Sequence, residues 1–204
     1  MKKQIIILGA GGHAKVLASA LDLNGENILG FLAPDTPVGQ KVFLQASVLG
    51  GDDYISSVSD ENLFIVNGIG HMPSSSLRKE IFVKYQDLNY LFANVNHPTA
   101  YIAEECTICE GAQLMAGSIL QPGANIGKNV IINTGSKIDH DTIIGDHSHI
   151  APGATICGDV SIGKNCFIGA GATIIQGVDV GDNVVIGAGL TVLKNISAEC
   201  VYTG

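Results

Sequence analysis

The chain contains no tryptophan, and among its 204 residues only 5% are aromatic and 15% charged. A core so short of large rings has to be built from aliphatic side chains. Positive charge is scarcest: eleven Lys and Arg stand against nineteen Asp and Glu, for a net charge of −8, and no Lys/Arg cluster occurs. Binding to nucleic acid or to an anionic membrane surface is therefore not expected. No apolar run approaches the roughly 18 residues of a membrane span. After Met1-Lys2-Lys3 the straight apolar run is only Ile5–Leu8, too short for a secretion signal, so a cytoplasmic location is expected. The five cysteines (106, 109, 157, 166 and 200) are odd in number and follow no framework spacing, which fits reduced thiols. Glycine, at 26 residues, is what the chain has in excess.

The sequence changes character near residue 94. Before it the pattern is α/β. Gln4–Leu8 reads as a buried parallel strand, followed by the tight turn Gly9-Ala10-Gly11-Gly12-His13. Apolar residues at 14, 17, 18 and 21 make a helix of 14–23. Strands are expected at 27–31, 63–66 and 88–92, and a second helix over 75–87 with Leu77, Ile81, Tyr85 and Leu88 on one face. Alternating strands and helices imply a small, doubly wound, Rossmann-like parallel sheet, taken as a domain of residues 1–94.

From residue 95 to 204 a six-residue repeat takes over. Stepping by six from Ile102 to Val192 meets sixteen aliphatic residues without an insertion. Four residues after each stands a second inward-sized side chain, so each repeat holds a short strand of period two. The third residue after each aliphatic is a corner. Eight of these are Gly (111, 117, 123, 135, 153, 171, 177 and 189) and six are Asn or Asp (129, 141, 159, 165, 183 and 195), types that accept positive φ. Three corners to a circuit make a triangular coil of 18 residues, and the chain a β-solenoid of about five coils.

That register lets columns be read. Residues 18 apart stack ~4.8 Å apart. Lys128, Asp146, Lys164 and Asp182 form an alternating charge column. It reads as a surface ion-pair ladder of small value rather than a phosphate site. In another column His140 stands one coil before Gly158, which leaves its ring room for a ligand. His140, flanked by Asp139 and Asp141, is a candidate general base, since a carboxylate on one ring nitrogen fixes the tautomer and raises basicity. A solvated corner His beside a corner Asp is the other reading. His147 also falls at a corner. Cys106 and Cys109 form a CxxC without a second pair, and core packing explains Cys106 better than zinc does.

The hexapeptide pattern resembles the left-handed parallel β-helix acyltransferases, and left-handedness is what that resemblance implies. With Gly9-Ala10-Gly11-Gly12-His13-Ala14-Lys15, Val66-Asn67-Gly68, Asn133-Thr134, His140-Asp141 and Gly145-Asp146-His147-Ser148-His149, the chain resembles one branch of them. These are the bacterial sugar acetyltransferases: N-acetyltransferases of nucleotide-activated amino sugars, and relatives that O-acetylate sialic acid. The resemblance implies acetyl transfer from acetyl-CoA to the amine of a nucleotide-linked 4-amino-4,6-dideoxy sugar for surface glycans, with O-acetylation of a free sugar as the alternative. A non-catalytic sugar-nucleotide-binding trimer is a third reading.

Carried over by position, the resemblance makes His140 the base and Asp141 its acidic partner. It sets Asn133 near the acceptor sugar and His149 at the thioester, with Gly158, Ala170 and Ala188 contributing backbone contacts to CoA. Gly11, Gly12, His13 and Gly68 would receive the nucleotide diphosphate. A homotrimer holding CoA between neighbouring solenoids is implied. Two His ligands five residues apart mark the metal-binding hexapeptide proteins; here the spacings are seven and two, so no metal is expected. The third glycine of GxGxxG is missing, so NAD is not expected either. The Asp pair that reads the base in that branch is replaced by Ala33-Pro34-Asp35, which leaves Asp35 alone in that role and the base open. That branch also closes with Gly-x-Pro-Ala and a basic tail, whereas the present sequence stops at Val201-Tyr202-Thr203-Gly204, so either the sequence is clipped or part of the CoA contact is missing.

Overall fold

A computed structural model describes residues 3–58, 62–73 and 75–204. The Met1-Lys2 start weighed above lies outside these residues. The chain forms two compact units: one takes in the residues up to Val95 other than 72–74, and the other begins at Asn96.

The first unit runs β1 (Gln4–Leu8), α1 (Gly12–Leu23), β2 (Asn27–Leu32), β3 (Lys41–Phe43), β4 (Ala46–Gly50), α2 (Asp52–Ile55), β5 (Leu63–Asn67) and α3 (Leu77–Asp87). Its sheet has the order β3-β4-β2-β1-β5 and is parallel except for the edge strand β3. β1 lies inside the sheet, between β2 and β5, because Ile5, Ile6 and Ile7 are apolar on both faces, and all three are fully buried. The chain moves from β1 out to β2 and β4, then returns to β5 on the other side of β1. That reversal puts a crevice at the carboxyl ends of the strands.

Two expectations need correction here. The strand at 88–92 is reduced to an isolated bridge between Phe92 and Ile65. Asn89, with φ of 62°, closes α3 instead, its N–H donating to the Gln86 carbonyl at 2.9 Å. On α3 the buried residues are Arg78, Phe82 and Tyr85, whereas Leu77 and Leu88 are exposed. The hairpin β3–β4 and the four-residue α2 carry too few buried apolar positions for their period to show.

The second unit is a triangular parallel β-solenoid. β6 (Val95–Asn96) is followed by sixteen two-residue strands, β7 (Tyr101–Ile102) to β22 (Thr191–Val192), and by β23 (Val201–Tyr202). Every aliphatic of the six-residue step is the second residue of one of those sixteen strands. Three sheets of six, five and seven strands result, pairing residues 18 apart, such as Leu120 with Ile138. The aliphatics stack down the axis, all buried except Ile102 and Ile108 at the first coil. At ~1.5–3 kcal/mol for each buried aliphatic, this stack outweighs any surface ladder.

Positive φ recurs at the expected corners, Gly and non-Gly alike, Glu105 and His147 included. Asn195 breaks the pattern. There the coil shortens: Ile186 pairs with Tyr202 and Val180 bridges Ile196, sixteen residues apart rather than eighteen. Asn195 Oδ1 instead accepts the Asp179 N–H at 3.0 Å, and Glu199 takes the positive φ. In the charge column the aspartates act mainly on backbone. Asp146 Oδ1 accepts the Lys128 N–H at 2.9 Å and Asp182 Oδ1 the Lys164 N–H at 2.7 Å, while the Lys164 ammonium lies 3.5 Å from Asp146. Among the described residues no helix is long and apolar enough to cross a membrane.

Candidate active site

His140 stands at the corner between β13 (Lys137–Ile138) and β14 (Ile143–Ile144). The local fold follows from Asp141, whose φ of 58° turns the chain, and from Asp139, whose carboxylate accepts the His140 N–H at 2.8 Å. Bonds to the coils on either side hold the corner. Asp141 N–H donates to the Pro122 carbonyl at 3.1 Å, and Asp159 N–H to that of His140 at 2.9 Å. His140 Nδ1 donates to Asp141 Oδ2 at 2.9 Å, since an ionised carboxylate only accepts. That leaves Nε2 with a free lone pair.

Two glycines make this geometry possible. A Cβ on Gly158, one coil on, would lie 2.5 Å from Cε1 of the His140 ring. One on Gly123, a coil earlier, would lie 2.6 Å from Asp141 Oδ1. Gly123, read from the sequence only as a corner, thus also leaves room for the Asp141 carboxylate, as the 18-residue column under Asp141 implies. The hydrogen bond from His140 to Asp141, with Asp139 and Asp159 close by, holds the imidazole pKa above its ordinary value. The ring is half exposed, open to a reactant.

A second pair occupies another corner. Asn133 follows β12 (Ile131–Ile132), and His149 lies on β15 (His149–Ile150), the next strand of the same sheet. Asn133 Oδ1 accepts the Thr134 N–H at 2.8 Å, which orients the amide so that Nδ2 donates to His149 Nε2 at 3.0 Å. Phe167, one coil further, meets the buried imidazole edge-on with ring centroids 5.0 Å apart. Ala170 and Ala188 form a column on this corner, the Gly189 N–H donating to the Ala170 carbonyl at 2.8 Å. Gly158 belongs to the other corner, with His140. The fold thus joins His140, Asp141 and Gly158, and separately Asn133 and His149, one pair to each of two corners of the triangle.

In the first unit, Gly11 is the N-cap of α1 and Gly12 and His13 its first two residues. A Cβ on Gly11 or Gly12 would meet nothing within 4 Å, so internal packing does not demand these glycines. Gly68 is the opposite case: a Cβ there would lie 2.6 Å from the Leu8 carbonyl and 2.9 Å from Ala14. Beside the turn lies a cavity of about 340 Å³ at the strand ends, with Leu8, Leu32, Ile69 and Ile81 among its apolar walls and Asp35 and Asp52 on its rim. The helical face read as Leu77, Ile81 and Tyr85 lines this cavity.

Arg78, part of the Leu77-Arg78-Lys79 piece of the resemblance though given no role there, sits buried behind the loop after β5. Its Nη1 donates to the Asn67 and Ile69 carbonyls at 2.9 and 2.7 Å, and Asn67 Nδ2 donates back to the Arg78 carbonyl at 2.9 Å. Burial lowers the guanidinium pKa to about 9, which leaves it charged at neutral pH. This clamp fixes Gly68 and Ile69 against the turn that begins at Gly9. A lone arginine in a helical stripe carries no sequence signal for such a role.

A parallel solenoid with an oriented His on one corner, joined to a small α/β unit with an open glycine turn, defines a class of acyl-transferring proteins. Residues 4–85 match the PglD N-terminal domain, 123–158 the bacterial transferase hexapeptide repeat and 159–194 the hexapeptide repeat of succinyl-transferase. Among solved structures the chain is similar to PerB from Caulobacter crescentus, crystallised with CoA and GDP-perosamine. The identity is 30% over 97% of this chain and 92% of that one, with a TM-score of 0.88. It is also similar to the acetyltransferase domain of PglB from Neisseria gonorrhoeae in complex with acetyl coenzyme A, at 29% identity over 98% and 96% of the two chains and a TM-score of 0.90. The chain belongs to the hexapeptide-repeat sugar acetyltransferases that carry a PglD-type N-terminal domain, and its solenoid is a left-handed β-helix. It is an acetyl-CoA-dependent acetyltransferase.

Proposed function

We propose that this enzyme acetylates the amine of a nucleotide-linked 4-amino-4,6-dideoxy sugar, with His140 as general base. The observation that carries the reading is the His140–Asp141 pair: one ring nitrogen is committed to a carboxylate at 2.9 Å and the other is left to take a proton. The neutral amine attacks the thioester carbonyl, forming the C–N bond. His140 Nε2 takes the amine proton as the tetrahedral intermediate forms, the C–S bond then breaks, and the proton passes to the leaving CoA thiolate. No acyl-enzyme is needed.

Residues 1–94 hold the nucleotide sugar and 95–204 carry out the transfer. The turn Gly11-Gly12-His13 receives the diphosphate at the start of α1, whose first turn bears no acidic side chain. Asp35 lies beside the base and Gly68 behind the diphosphate turn. Asn133 faces the acceptor sugar and His149 the thioester, with backbone of Gly158, Ala170 and Ala188 along CoA. The two polar pairs stand on different corners of one chain, which favours a homotrimer in which neighbouring copies complete each other's site. The N-acetylation of GDP-perosamine named for the PerB protein supports an amine acceptor.

The test is thiol release from acetyl-CoA with UDP-, dTDP- and GDP-linked 4-amino-4,6-dideoxy sugars, and with free sialic acid for contrast. Turnover on a nucleotide-linked amine is expected. Turnover on sialic acid alone would replace this reading with O-acetylation and leave the glycine turn without its ligand.

A further inference from the structure

The cavity of the first unit is lined by a carboxylate held on both oxygens. Resting on the nucleotide-sugar reading above, we infer that this cavity takes guanine, and that Asp52, held by Tyr85 and flanked by Lys84, is the residue that selects it. Asp52 lines the cavity from the start of α2, together with Tyr85 from α3. Its carboxylate is fixed on both oxygens: the Tyr85 hydroxyl donates to Oδ1 at 2.8 Å and the Lys84 ammonium to Oδ2 at 2.6 Å. Tyr85 is itself buried, so the carboxylate rests on a rigid support. Each carboxylate oxygen has a second lone pair, so one acceptor site per oxygen remains for a ligand.

Several other donors of the lining are already engaged. The backbone N–H groups of Gly9, Ala33 and Thr36 already donate to the carbonyls of Leu32, Gly50 and Ala33 at 2.7, 3.0 and 3.0 Å. The other acidic group on the rim is Asp35, again an acceptor. The cavity therefore presents the two adjacent acceptors of Asp52, whose Oδ2 also holds the Lys84 ammonium.

Guanine is the base whose edge complements that pattern, with N2–H and N1–H as adjacent donors and O6 as an acceptor next to them. Uracil and thymine present acceptor, donor, acceptor, and would set a carbonyl against the carboxylate. Adenine and cytosine each pair one donor with a ring nitrogen that repels the second carboxylate oxygen. The Lys84 and Tyr85 bonds also hold the Asp52 pKa below the usual carboxylate range, so these acceptors persist at neutral pH.

Calorimetric titration of the whole protein with GDP, UDP, dTDP, CDP and ADP tests this. GDP is expected to bind at least ~10-fold tighter than any of the others, the discrimination typical of one good bidentate pair. Asp52→Asn, which trades one acceptor for a donor, is expected to weaken GDP by ~10-fold and leave UDP unchanged or stronger. Tyr85→Phe keeps the packing and should narrow the preference in the same direction. Equal binding of all five nucleotides, a preference for a base other than guanine, or an equal loss of GDP and UDP in Asp52→Asn would overturn the role of Asp52 while leaving the cavity a nucleotide site. No binding of any nucleotide would overturn the nucleotide-sugar reading itself.

Discussion

The two units hold their functional groups in different ways. In the solenoid, a residue's neighbours recur 18 positions away. His140 is placed by what stands one coil before and after it: Pro122 and Gly123 on one side, Gly158 and Asp159 on the other. In the first unit, position comes from single contacts without repetition. Arg78 holds Asn67 and Ile69, Tyr85 and Lys84 hold Asp52, and Gly68 fits between β1 and α1. A regular wall fixes reacting groups by backbone and tolerates little beyond a hydrogen atom at chosen points. A sheet with irregular loops places its polar contacts on side chains that can be exchanged one by one.

Substitutions can break or sharpen that contrast. His140→Ala should lower kcat at least ~100-fold with the Tm hardly changed, since the side chain is half exposed. A near-normal kcat would remove His140 from the reaction. Gly158→Ala adds one methyl where only the imidazole fits, and should cost roughly 10- to 100-fold in kcat by displacing the ring. Unchanged kinetics there would mean that the ring has room to spare.

Arg78→Met in the first unit should act on the other parameter. It leaves two buried carbonyls without their donor, at about 1–3 kcal/mol of stability. It should also raise KM for the nucleotide sugar while KM for acetyl-CoA stays put. A fall in kcat with both KM values unchanged would erase the contrast between the units. Asp141→Asn has a signed effect on pH. Asp141 raises the His140 pKa, so the free base dominates only above that raised value and activity falls as pH drops through it. Without the carboxylate the acidic limb of kcat/KM should move to lower pH, and an unmoved limb would assign the titration to another group. Lys164→Ala should be the mildest change, at ~0–1 kcal/mol, because its ammonium is exposed and the Asp182 bond goes to its backbone N–H. A thermal melt would show it.

The same contrast explains what could be read beforehand. The six-residue step located sixteen strands because each inward position and each corner is a local requirement, met by aliphatic residues inside and Gly, Asn or Asp at the turns. It failed at Asn195, where the coil shortens by two residues and tertiary pairing rather than local preference decides. His140 and Asp141 were visible as a pair, and Gly158 followed from the column. The contacts of Arg78, Asp52 and Tyr85 were not visible, since their partners lie 9 to 33 positions away along no repeating interval. The 88–92 stretch looked like a strand because its aromatic residues suit one. Phe92 instead stacks on Phe82 of α3, with centroids 4.2 Å apart, and its backbone meets the sheet in a single bridge to Ile65.

A wall whose courses are interchangeable is also a ruler. Each coil marks off ~4.8 Å along the axis. The buried aliphatics of one coil match those of the next, so an entire course can be added or removed without asking any core residue to change its neighbours' kind. Heights between groups on different courses, such as His149 and Ala188, are then adjustable in whole divisions and not in fractions. Such a scaffold can gain or lose height only in steps of eighteen residues, a discrete form of variation not open to the irregular loops of the first unit.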